Sequence, residues 1–411
     1  MLRAAWRFTG AKDIKHGRPH GFLASPTVFR GDVYIGSSAG WFYKVSVSSG
    51  RVLAKRFIGY QRRTTCRMPL GVVSTATVQP VRKGRVMVYV GGPDGYLYAM
   101  RARDLSVAWR SPIAIPSKKV NNFFQWSSPT IAGGRIFIGI SSNCDNPLVR
   151  SGLVSYSQAT GKRLAIYRPM PRHLIGASIW SSPAVDSAGN VYVSTGNAAK
   201  HQEASGRPTS ITKLNPRTLR AVASFKVPSS QFVRDGDFGA SPVIFGSDVG
   251  ACNKNGVFYA LKRKSMQMAW SARIGAAAPH HASSCLASAA YNGSELFVAG
   301  PEEMIGSVDY NGSVQALNPG TGAVIWQTGL PNGVIGTPTV DGAGVIAVGT
   351  YQATTVPNGI YLLDAATGTI LRELTSGSPD FAQNVFAEGQ LFTADRDGLT
   401  DWRVGTWSFG N

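Results

Sequence analysis

A unit of roughly fifty residues recurs along the whole chain, and a repeat of this length restricts the architecture more than any composition does. Each copy opens on Ser-Pro or an equivalent pair followed by β-branched residues, as at Ser25-Pro26, Ser128-Pro129, Ser182-Pro183, Ser241-Pro242 and Thr337-Pro338. Degenerate openings near Ala76, Ala289 and Val385 bring the units to eight. A hydrophobic run follows, as in VYIGS, MVYVGG, IFIGIS, VYVSTG, LFVAG, VIAVGT and LFTAD. Next comes a third segment such as GYLYAM, GLVSYS, GVFYAL, GSVQAL or GIYLLD. Turns at Ser49-Gly50, Thr160-Gly161, Thr321-Gly322 and Thr367-Gly368 lead into a last segment, often ending near tryptophan, at Trp109, Trp270 and Trp326.

Period-two alternation with glycine at the turns describes β-strands, and the helical period that α-solenoids require is missing. Four strands per unit predict an all-β, eight-bladed β-propeller of four-stranded antiparallel blades. The expected blades cover approximately 22–58, 72–112, 126–168, 180–227, 239–274, 286–329, 335–374 and 382–408, in one domain over 1–411. The eighth unit stops after three strands, in NVFAEGQLFTADRDGLTDWRVGT, whereas residues 3–9 read as an orphan fourth strand carrying Trp6. Pairing the two ends completes a blade and removes two exposed sheet edges at once.

The formal net charge is +20, with Lys and Arg spread along the chain, so the surface attracts acidic partners. Nucleic acid is not expected among them, because the aromatics fall at core strand positions and not on a basic groove where bases could stack. No window approaches eighteen consecutive apolar residues, so no membrane span is expected. The start MLRAAWRFTG lacks the apolar stretch of a secretory signal, and with Trp6 already in a strand, Met1 reads as a start placed at a mature or trimmed boundary. Cys66, Cys144, Cys252 and Cys285 form neither C-x-x-C nor C-x-x-C-H, which excludes a zinc ribbon and a covalent c-type haem. An even count suggests two disulfides in a periplasmic or secreted protein, with four buried thiols as the alternative.

In a propeller, the connection reaching each inner strand and the loop between second and third strands open on one face. Four such loops are enlarged: SSNCDNPLVRSG, STGNAAKHQEASGRPTS, GSDVGACNKNG and AGPEEMIGSVDYNG. Asp145, Asn197, Asp235 and Asp237 put carboxylate and amide oxygens on that face, the donor set a Ca²⁺ ion takes. Each residue alone would serve as a turn former.

The units resemble the quinoprotein repeat, and several segments in order are similar to pyrroloquinoline quinone (PQQ) dependent alcohol dehydrogenases: GISSNCDNPLVRSGLVSYSQATGK, IWSSPAVD, VYVSTGN, GDFGASP and NKNGVFYAL. The resemblance implies PQQ and Ca²⁺ as cofactors. It makes Asp145 the acidic and Asn197 the amide cation ligand, and Asp237 both a ligand and the catalytic base. Trp180 takes the position of an indole lying flat against the quinone, where stacking secures a tricyclic ring; its alternative is a channel cap, as Trp126 in QWSSPTI would be. Lys254 takes the position of the cation facing the quinone oxygens, with an ordinary solvated lysine as the alternative. Cys66, Arg67, Ser142 and Asp235 are assigned to the cofactor pocket. Lanthanide-using relatives carry an Asp two residues after the base, where this chain has Gly239, so calcium is implied.

Methanol-type relatives cover the quinone with a ring formed by adjacent cysteines, which this chain lacks; a Cys66–Cys144 bridge is the expected substitute, and Cys252–Cys285 the second disulfide. His280 and His281 offer an alternative base. The GDFGASP and IWSSPAVD segments are similar to polyvinyl alcohol dehydrogenases, without their haem domain. This implies oxidation of an alcohol, secondary or polymeric in class, with electrons leaving to a soluble acceptor such as a cytochrome c. A non-catalytic propeller that binds or assembles other proteins is the alternative, because the repeat itself is shared with such scaffolds.

Overall fold

The computed structural model describes residues 2–13, 21–61, 70–277, 285–300, 302–351, 356–375 and 378–404. Among these, eight four-stranded antiparallel sheets follow one another as propeller blades, and helix is confined to three one-turn 3₁₀ segments. Blade one consists of Thr27–Phe29, Asp32–Gly36, Trp41–Ser46 and Val52–Phe57, hydrogen-bonded in that order. The second and third strands of each blade are sandwiched between neighbouring blades, so runs such as Leu296–Gly300 and Gly312–Leu317 are buried throughout. Outer strands face solvent on one side, and Ala221–Lys226 alternates half-buried with exposed.

Blade eight closes the ring as the sequence predicts. Leu2–Phe8 pairs antiparallel with Leu399–Val404, from Leu2 opposite Val404 to Phe8 opposite Leu399, and Gln390–Ala394 and Val385–Ala387 complete the sheet.

Two devices that join the blades explain the repeated motifs. At the inner ring, the Ser25 N–H donates to Thr75 Oγ1, Thr75 to Ser128 Oγ, Ser128 to Ser182 Oγ, Ser182 to Ser241 Oγ and Ser241 to Ser288 Oγ, at 2.8–3.1 Å. Gln383 returns the chain of bonds to Ser25 Oγ at 2.9 Å. The hydroxyl of each Ser-Pro opening therefore satisfies the preceding blade. At the rim, the outer-strand tryptophan of one blade covers the turn glycine of the next. A Cβ at Gly50, Gly161, Gly322 or Gly368 would lie 2.4–2.7 Å from the ring of Trp6, Trp109, Trp270 or Trp326 respectively, and all four glycines have φ between 68° and 75°. Only glycine meets both demands.

One expected loop is different. GSDVGACNKNG contains no enlarged loop: Asp248–Asn253 is the fully buried second strand of blade five, paired with Val257–Lys262 and leaving a tight turn. Its Gly and Asn broke the apolar run in the sequence, yet burial between blades selects small residues there as well as β-branched ones. The AGPEEMIGSVDYNG segment carries its own hairpin, Glu303–Ile305 with Val308–Tyr310. Blade three gains a short fifth strand, Phe123–Phe124, on Ser141–Ser142. Among the described residues no helix is long and apolar enough to cross a membrane.

Candidate functional site

Asp145, Asp235 and Asp237 converge on the predicted face, with one carboxylate oxygen from each lying within 4.8 Å of the others. Asp145 follows the second strand of blade three, Arg135–Ser142, and is fixed by its own turn: its N–H donates to Ser142 Oγ at 2.9 Å, and that hydroxyl donates to the Asp145 carboxylate. The Ser142 N–H is bound by Ser178 Oγ at 3.2 Å. Asp145 and Asp235 both adopt left-handed backbone, φ 55° and 56°, which short polar side chains tolerate at turns.

Asn197 stands after Val191–Ser194 of blade four and donates from Nδ2 to Asp235 Oδ1 at 2.5 Å. Its Oδ1 is buried with no hydrogen-bond partner among the described residues. A buried amide oxygen left bare beside the Asp235 carboxylate calls for a cation or a proton donor.

Asp237 is the buried member of the triad. Its Oδ1 pairs with Lys254 Nζ at 2.7 Å, and its Oδ2 accepts from Trp180 Nε1 at 3.2 Å. Lys254, 12% exposed, also reaches Asp235 at 3.3 Å and lies 5.7 Å from the Trp180 ring centroid. Burial pushes the Asp237 carboxyl up to about 6; Lys254 opposes that rise, and Asp235 and Asp145 add to it. Burial alone would lower the Lys254 pKa, but Asp237 and Asp235 outweigh it and hold the ammonium above its ordinary value. Three carboxylates against one ammonium leave a double negative charge when all are ionised, the complement of a divalent cation.

These groups border a cavity of about 270 Å³ whose lining includes Trp126, Cys144, Ser178 and Trp180. Trp180 keeps its position because residue 239 is glycine: a Cβ there would stand 2.7 Å from the indole and 2.4 Å from Leu286. Trp126, expected from sequence as a channel cap, lines the same cavity as Trp180. QWSSPTI and IWSSPAV repeat the same register one blade apart, and that signal was sufficient to place both indoles at one opening.

Cys252 and Cys285 form a disulfide with Cα atoms 5.6 Å apart, joining blades five and six. Cys144, exposed at the cavity, is also disulfide-bonded. Its expected partner Cys66 and the neighbouring Arg67 lie outside the described residues, as do His280 and His281.

Fold and motif together define a repeat propeller of the quinoprotein type. The family model for the PQQ-type repeat, described as outer membrane protein assembly factor BamB, matches residues 3–226, 74–287 and 286–405, and the chain belongs to that family. It is 21% identical to the outer membrane protein assembly factor BamB of Shewanella oneidensis over 321 residues, 77% of this chain and 69% of that one. The quinohemoprotein alcohol dehydrogenase of Comamonas testosteroni shares the fold with a TM-score of 0.73 at 15% identity, covering 100% of this chain and 78% of that one. A europium-containing methanol dehydrogenase matches with a TM-score of 0.77 at 14% identity over 96% and 84% of the two chains. BamB from Moraxella catarrhalis matches with a TM-score of 0.61 at 14% identity over 100% and 99%.

Proposed function

We propose that this chain oxidises an alcohol using PQQ and Ca²⁺ held in the cavity of blades three to five, in the periplasm or outside the cell. The observation that carries the reading is the cluster of Asp145, Asp235 and Asp237 beside the bare Asn197 Oδ1, flanked by Trp180 and Lys254. A scaffold has no physical need for this buried charge, which costs stability unless something is bound.

Asp145, Asn197 and Asp237 would hold the cation, with Asp235 as a further ligand that Asn197 orients. When bound, the quinone supplies a two-electron acceptor and Ca²⁺ polarises its carbonyl oxygen as a Lewis acid. Trp180 presents its face to the planar ring, and Gly239 leaves the room that lets the indole lie there. Asp237 takes the alcohol proton: burial raises the basicity of its carboxylate, and Lys254 opposes that rise. Lys254 balances negative charge at the same point. Ser142 holds the Asp145 carboxylate in its turn. Electrons then pass to an external acceptor, for which the +20 surface favours an acidic redox protein such as a cytochrome c.

Titrating PQQ into the protein with and without Ca²⁺, followed by tryptophan quenching, tests binding. Dye reduction with a panel of primary and secondary alcohols tests catalysis. Calcium-dependent quenching with alcohol-dependent turnover is the expected result. Absence of both would leave the second reading, an assembly scaffold, which the full-length correspondence with the BamB proteins favours.

A further inference from the structure

We infer that the face opposite the cavity carries a docking groove for an acidic polypeptide segment, formed by the two crevices that flank the first hairpin of blade two. This inference goes beyond the catalytic reading and does not rest on it, because the groove lies at the other end of the strands from Asp145 and Asp237.

Thr77–Pro80 and Val86–Gly91 pair over four rungs, whereas the corresponding hairpins of the other blades pair over two or three. The extra length ends in a 3₁₀ turn, Arg82–Gly84, so this hairpin stands out from its face and makes a wall. Toward blade one it bounds a crevice of about 460 Å³, and toward blade three another of about 390 Å³, with Arg85 and Arg101 lining both. Val86 and Ala102 give the first crevice an apolar floor, and Met87 the second.

Charge is one-sided here. Arg30, Lys44, Arg85, Arg101 and Arg103 line the first crevice against the single acid Asp32, and the second adds Arg82 with no acid at all. Lys44 and Asp32 neutralise each other at 3.0 Å, and Arg103 pairs with its neighbour Asp104 at 3.0 Å. Among the described residues no ion pair involves Arg30, Arg82, Arg85 or Arg101. Between blades four and five, by contrast, the same face sets Arg263 against Asp186 at 3.7 Å and Lys262 against Asp248 at 3.1 Å. The arginines of the blade-two crevices differ from these in lacking such acidic partners among the described residues.

Arginine forks match carboxylates in two-point geometry, and an apolar floor between them accepts the apolar side chains of an extended acidic segment. Nucleic acid fits less well, because the aromatic faces are already used. Arg30 covers Phe29 at 5.1 Å, Tyr34 is buried, and Trp109 is docked on Gly161.

The test is fluorescence anisotropy on the whole protein with a short labelled peptide alternating Asp or Glu with Phe or Leu, beside a Lys-substituted version and a single-stranded oligonucleotide. The acidic peptide is expected to bind, with affinity falling as salt rises. The double variant Arg85→Glu/Arg101→Glu should weaken it at least about tenfold, while Arg220→Glu/Lys264→Glu, the same charge change on exposed turn residues of blades four and five, should leave it within about twofold. Unchanged thermal midpoints would show that both variants fold. Equal losses in the two variants, tighter binding of the oligonucleotide, or no peptide binding would each overturn the proposal.

Discussion

Asp237 has both carboxylate oxygens engaged, by Lys254 on one side and the Trp180 indole on the other, so its replacement separates charge from shape. Asp237→Asn keeps the volume and can still accept from Trp180, but it cannot take a proton. On the proposed mechanism, dye reduction should fall by about 10²–10⁴ while PQQ still quenches the tryptophans; retained turnover would remove the base assignment. Gly239→Ala tests the neighbouring contact. Its methyl would overlap Trp180 and Leu286, so the indole must shift, and we expect a changed intrinsic emission spectrum together with weakened PQQ quenching. Much of this site was legible in the sequence, because IWSSPAVD and GDFGASP fix which residues start the inner strands. The double ion pair of Lys254 was not, since no spacing says that a lysine after one strand will fold back onto two carboxylates that precede the same blade. Nor was the bare Asn197 oxygen, which depends on the amide nitrogen being claimed by Asp235.

At the scale of an element, the inner-strand connections show how blade eight differs from the others in burying an acid. Three residues before the inner-ring Ser or its equivalent, the side chain enters the space between blades: Phe22, Val72, Ile179, Phe238, Cys285 and Val334 are fully buried there, and blade three buries Gln125 with its Nε2 donating to Ser127 O and Gly139 O. Blade eight puts Asp380 in that place, also fully buried, and neither of its oxygens has a hydrogen-bond partner of normal geometry among the described residues. Burial raises its pKa well above the ordinary value, and Asp395 raises it further. The folded state therefore holds this proton more tightly than the unfolded chain, whose aspartate titrates near 4. Its contribution to stability is greatest below about pH 4 and declines as pH rises toward the folded pKa. Asp380→Val should raise the unfolding free energy measured in urea at pH 7 by about 1 kcal/mol or more, and by less at pH 4; an equal gain at both would show that ionisation is not the cost. The sequence displayed Asp380 in PDFAQNV beside the similar GDFGASP, but a one-residue difference in spacing to the inner strand sends one aspartate between blades and the other into the cavity. Cys252–Cys285 is the opposite case, legible from position alone. It closes a 33-residue separation, so Cys252→Ala/Cys285→Ala should cost about 3–4 kcal/mol in denaturant unfolding.

Over the whole molecule, stability depends on a ring whose closure is not covalent. Seven blades take all their strands from one contiguous stretch, whereas blade eight joins Leu2–Phe8 to three strands from the far end of the chain. The orphan strand could be counted in the sequence, three strands at one end and one at the other, which is why closure was predictable when the rim contacts were not. Trp6 holds this seam: it covers Gly50, donates to Val47 O at 2.8 Å and packs beside Phe392. Trp109 makes the matching contact on Gly161, yet its strand is tied to its own blade by a hairpin. Truncating either indole should cost a few kcal/mol, about 3 for a partly buried tryptophan, but the consequences should differ. Loss of Trp6 leaves Leu2–Phe8 held by its ladder bonds, the packing of Phe8 on Phe22 and Tyr43 and the Arg7–Asp395 pair, and departure of the strand turns Leu399–Val404 into a bare edge. Trp109→Ala leaves its strand in the sheet. Hydrogen exchange should therefore show the amides of Leu399–Val404 losing protection in Trp6→Ala well below global unfolding, and keeping it in Trp109→Ala. If protection at Leu399–Val404 falls equally in both variants, the ring opens elsewhere or unfolds as one unit, and the terminal seam is not its weakest point.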